Sequence, residues 1–98
     1  MQTPQEKKEK KMIVLMDSAV AYEVSLQTLY QRNRGEIIYQ NRQKGLILLK
    51  DGFQELKIDI TAPTKHTAEI LISTTMDNGI LKKIISFIKH KEHRFLHY

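Results

Sequence analysis

The stretch FQELKIDITAPTKHTAEILISTT, Phe53 to Thr75, decides the fold class of this 98-residue chain. Leu56, Ile58 and Ile60 alternate with Glu55, Lys57 and Asp59. After Ala62-Pro63-Thr64-Lys65 the alternation resumes, with Ala68, Ile70 and Ile72 set against Glu69, Leu71 and Ser73. Successive side chains leave a strand on opposite faces, so this pattern predicts an antiparallel hairpin with one dry and one wet face, turning at Pro63.

The neighbouring segments extend that hairpin on both sides. Glu36–Gln40 and Leu46–Lys50 are β-rich runs joined by Asn41-Arg42-Gln43-Lys44-Gly45, an ordinary hairpin loop length. Asp51-Gly52 is a turn dipeptide leading into Phe53–Thr61. Three consecutive hairpins make a four-stranded antiparallel meander. Downstream, Asp77-Asn78-Gly79 breaks the pattern. Ile80, Leu81, Ile84, Ile85, Phe87 and Ile88 then form one broad apolar helical face, with Lys82, Lys83, Ser86, Lys89 and His90 on the other.

Upstream, Ala19, Tyr22, Leu26, Leu29 and Tyr30 recur at helical spacing from Ser18 to Arg32. Asp17 or Ser18 supplies an N-cap oxygen, and Asn33-Arg34-Gly35 a C-terminal stop. Lys11–Met16 is a short apolar run suited to an edge strand. The predicted fold class is therefore α+β: strand, helix, four-stranded antiparallel meander, helix. Both helices lie on one sheet face, because a sheet of this size needs only one face covered. Residues 1–11 are expected to be a disordered charged arm and residues 12–98 a single domain with a frayed basic C-terminus. The predicted core comprises Tyr22, Leu26, Leu29, Leu56, Ile58, Ile60, Ile70, Ile72, Ile84, Ile85 and Ile88.

Composition bounds the chemistry. The chain has no cysteine, which excludes disulfides, thiolate metal sites and cysteine nucleophiles. Its longest apolar runs, Met12–Met16 and Leu46–Leu49, are far shorter than the ~20 residues of a membrane span. Gln2–Lys11 has no apolar signal core, so the expected location is cytoplasmic as written, or the envelope or periplasm if a targeting segment was removed. The net charge of +5 sits at the two ends: residues 1–11 carry +2, residues 82–98 carry +4, and the middle of the chain is slightly acidic. A basic surface attracts anionic partners and also serves solubility.

Three histidines, His90, His93 and His97, share one face if the last helix continues, and could ligate a transition metal. Lys89, Lys91 and Arg94 surround them with positive charge, which opposes a cation. No cofactor is therefore expected. No phosphate loop, nucleophile elbow or His-Glu-x-x-His motif is present, and an enzyme is not expected.

Two binding functions remain. The run Leu46-Ile47-Leu48-Leu49 is apolar on both faces. Either Ile47 and Leu49 join Ile37 and Tyr39 in an outer patch for a protein partner or a second copy, or they pack beneath the first helix or the arm. The alternative function is nucleic-acid binding through Lys82, Lys83, Lys89 and Arg94, with Tyr39 or Phe53 as stacking platforms. A non-catalytic interaction module is the first expectation.

The strand before Asp17, the helix with Ala21-Tyr22, Leu26 and Leu29, the Ile37–Ile47 hairpin ending Gly-Leu-Ile, the long hairpin and the final helix around Leu81, Ile84, Ile85 and Ile88 together form a pattern. It resembles a loose group of small bacterial domains of unknown function, many of them envelope lipoproteins, with a TATA-binding-protein-like or related α+β arrangement. The resemblance spans roughly residues 12–90 and rests on packing motifs. It implies an accessory, non-enzymatic domain near a bacterial envelope, with Gln2–Lys11 similar to the tether after a lipidated residue. The chain departs from that pattern in having no cysteine to lipidate, and no functional residue carries over.

Overall fold

A computed structural model describes residues 7–32, 35–76 and 78–96, apart from the side chains of Arg32, Asn78, Phe95 and Leu96. Its elements are β1 (Lys8–Val14), α1 (Ser18–Arg32), β2 (Glu36–Asn41), β3 (Leu46–Asp51), β4 (Gln54–Thr64), β5 (Thr67–Thr74) and α2 (Asn78–Leu96). The five strands form one antiparallel sheet in the order β1-β5-β4-β3-β2. The chain leaves β1 through α1, enters the far edge as β2, and returns strand by strand until β5 lies beside β1. The two edges are therefore β1 and β2.

Cross-strand register sets the dry face. Leu49 pairs with Leu56, and Ile47 with Ile58. Ile58 pairs in turn with Ile72, and Ile60 with Ile70, which also faces Met12 of β1. Ile47, Ile58, Ile70, Ile72, Ile84 and Ile88 are fully buried, with Leu56 and Ile60 nearly so. Both helices cover this face: α1 contacts β4 and β5, α2 contacts β1, and the helices touch each other. An added tie joins the C-terminal turns to the start of the chain, where the Leu15 backbone N–H donates to Glu92 Oε2 at 2.6 Å.

Glycine fixes the β2–β3 loop. Gly45 has φ +67°, and a Cβ there would stand 2.4 Å from the Ile60 carbonyl oxygen. Only glycine accepts both that backbone and that approach. The approach is used, since the Ile60 N–H donates to the Gly45 carbonyl at 2.8 Å.

The structure departs from the sequence expectations at four places. First, Lys8–Lys11, expected within a disordered arm, are paired residues of β1, opposite Thr74 to Leu71. Backbone pairing to β5 does not require apolar side chains, and Lys11 also pairs with Glu69 at 3.2 Å. Second, the turn lies at Lys65–His66 and not at Pro63, with Thr64 facing Thr67. Pro63 sits within a register shift between Thr61 and Thr64, beyond the end of β3 pairing, where its missing N–H costs no ladder bond. Third, the buried stripe of α1 is Ala21, Tyr22, Ser25, Thr28 and Leu29, whereas Ala19 and Tyr30 are exposed and Leu26 is half-buried. Small residues let the helix lie close to the sheet, so the stripe is rotated away from the bulkiest side chains. Fourth, Ile47 and Leu49 face the helices, not an outer surface.

Candidate functional site

The wet face of the sheet is covered by no other described element. Alternation puts Glu9, Lys11 and Ile13 of β1 on it, with Glu69, Leu71 and Ser73 of β5. Glu55, Lys57 and Asp59 of β4 and Leu46, Leu48 and Lys50 of β3 continue it. Most of this surface is an ordinary solvated face, with charges interleaved across strands. Near the β2 edge its character changes.

There β2 departs from regular pairing. Ile37 pairs with Leu49, but Leu48 pairs with Tyr39, leaving Ile38 as the extra residue of a β-bulge. A bulge turns two successive side chains toward one side of the sheet. Ile38 and Tyr39 are accordingly 52% and 40% exposed, while Ile37 is half-buried on the helix side. Ile38 and Leu48 line a shallow depression with Lys7, Lys50, Glu55, Lys57 and Ser73 around it. The Tyr39 hydroxyl accepts a hydrogen bond from Asn41 Nδ2 at 3.1 Å, which steadies the ring beside this depression. The site is an apolar floor at a strand edge that no other described strand pairs, with three lysines and one glutamate on its rim.

Of the four residues expected in an outer patch, the structure brings only Tyr39 to this face. Ile47 and Leu49 are core, and Ile37 points toward α1, near Leu29 and Leu49. Their places are taken by Ile38, Leu46 and Leu48. The two-sided apolar run of β3 contained the signal, but its phase is set by pairing with Leu56 and Ile58 on the neighbouring strand, not by the run itself. The bulge that exposes Ile38 has no sequence signature in Glu-Ile-Ile-Tyr.

The basic residues behave as expected in one respect. Lys82, Lys83, Lys89 and Arg94 are all exposed on α2. The stacking platforms are not with them. Tyr39 is on the opposite face of the sheet from α2, and Phe53, 97% exposed, is at the tip of the β3–β4 turn. His90 and His93 lie on the exposed side of α2, while His97 lies outside the described residues. Among the described residues no group of three or more His, Asp or Glu is placed to hold a metal ion. No described helix is long and apolar enough to cross a membrane.

The ionisable groups at both surfaces are arranged for solvent contact. Away from both surfaces, burial raises the Tyr22 phenol above its ordinary range, partly offset by the nearby Arg42 charge. Arg42 sits 5.9 Å from the Tyr22 ring centroid and pairs with Glu23, joining the β2–β3 loop to α1. No protein-family model matches the chain, and no curated protein matches it.

Proposed function

We propose that this protein is a non-catalytic interaction module that captures an extended apolar segment of a protein partner at the β2 edge. The observation that carries this reading is the bulge-driven exposure of Ile38 and Tyr39 beside Leu48 on an edge that no other described strand pairs. A strand added there gains main-chain hydrogen bonds from β2, and its alternate side chains rest on the Ile38–Leu48 floor. Lys7, Lys50 and Lys57 outnumber Glu55 on the rim, which favours acidic residues flanking the apolar ones.

The opposite edge is a poorer acceptor. β1 reads Lys8-Glu9-Lys10-Lys11-Met12-Ile13-Val14, and lysines along an edge oppose indiscriminate pairing. β2, Glu36-Ile37-Ile38-Tyr39-Gln40-Asn41, contains no lysine and no proline. Selection from a random peptide library tests the proposal. Binders are expected to be extended and apolar with acidic flanks, to slow amide exchange in β2, and to be lost in Ile38→Asp. Binders that protect other strands, or that bind Ile38→Asp equally well, overturn it.

A further inference from the structure

The helix layer carries a second surface, on the face opposite the β2-edge site. On α2 the exposed positions include Gly79, Lys82, Lys83, Ser86, Lys89, His90, His93 and Arg94. At about 100° per residue these span an arc of about 140°. Lys82 and Lys89 form one border of the arc, and Lys83 and Arg94 the other, about 100–140° away around the helix. Ser86 and His90 stand between the two borders. The arc contains no acidic residue: Glu92, the one acid of α2, is half-buried and accepts the Leu15 N–H. The neighbouring helix does not repel an anion either, since Glu23, the only acid of α1, is paired with Arg42.

We infer that α2 docks in the major groove of a nucleic-acid duplex, with its two cation rows on the phosphates of the two groove walls. The shape decides the partner. A helix with its side chains is about 10–12 Å across, and the B-DNA major groove is about 12 Å wide. The basic stripe from Lys82 to Arg94 is about 18 Å long, enough to follow several successive phosphates. A flat anionic surface, such as a lipid bilayer, lies tangent to the middle of the arc, about 50–70° from each row, and meets both only obliquely, whereas the two walls of a groove face the rows directly. The exposed arc also presents no apolar side chain for insertion among lipid chains. Lysine and arginine contacts to phosphate carry no sequence information, and the groove-facing residues are few. Binding is therefore sequence-tolerant.

Fluorescence anisotropy with the full chain and a labelled 20-base-pair DNA duplex tests this across a salt series. Four phosphate contacts give a slope of log affinity on log salt of about −3.6, or roughly a hundredfold weakening between 50 and 200 mM salt. The pair Lys82→Gln/Lys89→Gln and the pair Lys83→Gln/Arg94→Gln should each reduce that slope by about 1.8. Lys44→Gln/Lys65→Gln, an equal charge loss on exposed loops, should leave it unchanged. Phosphatidylserine vesicles, run in parallel, should bind less tightly than the duplex. Equal losses from the loop pair would show net charge alone at work and overturn the proposal. Dependence on one row only, tighter binding to vesicles, or no duplex binding would overturn it too. All variants are at exposed positions, and unchanged thermal melts confirm that each is folded.

Discussion

The two faces of β3 differ by one residue of phase and by almost everything else. Ile47 and Leu49 are sealed between the sheet and the helices, whereas Leu46 and Leu48 look out over a charged, uncovered surface. All four are large and aliphatic, so composition does not separate them. Pairing does: β4 presents Leu56 and Ile58 to one side and Lys57 and Asp59 to the other, and β3 must follow its register. An apolar strand thus acquires a core face and a binding face from its neighbour.

Substitutions on the two faces should separate by several-fold in stability. Ile47→Ala removes fully buried methyl groups and should cost about 2–5 kcal/mol by lost burial and cavity formation. Leu48→Ala should cost about 1 kcal/mol or less while weakening peptide capture. Chemical denaturation of both variants measures the contrast, and equal losses would break it. Gly45→Ala, which strains the loop that sets β3 in register, should cost roughly 1–3 kcal/mol through its left-handed backbone and contact with Ile60.

Smaller effects sharpen the picture of the dry face. Tyr22 is buried, and its phenol titrates above the usual value of about 10. The folded state then holds that proton longer than the unfolded state. Stability should be intact below about pH 10 and fall as pH rises through the folded-state value. A melting series from neutral to alkaline pH, compared with Tyr22→Phe, should show a shallower alkaline loss in the variant. Ser25 Oγ is buried with no hydrogen-bond partner among the described residues, so Ser25→Ala should be neutral or raise stability by up to about 1 kcal/mol. A clear destabilisation on thermal melting would show that the hydroxyl has a partner.

The element order was legible in the sequence because its signals are local. The α1 span Ser18–Arg32, the Gly45 and Gly52 turns and the alternation of β4 and β5 depend on residues within a few positions of one another. The long apolar face of α2 was equally clear. The position of the β4–β5 turn was misplaced because Pro63 is a strong local signal that the surrounding register overrode. The candidate site was half legible. Tyr39 and the apolar character of β3 pointed to it, but Ile38 was missed because a bulge depends on what lies across the ladder.

The chain by itself determined its elements, their order, and the basic character of α2, because helical and strand periodicities are properties of adjacent residues. Only the tertiary structure decided which side of β3 is core and which residues of β2 are exposed. It also set the two surfaces, the β2 edge and the α2 ridge, on opposite faces of the sheet. Those outcomes follow from cross-strand register and from both helices covering a single face, and both depend on what lies across the ladder or above the sheet, not on adjacent residues.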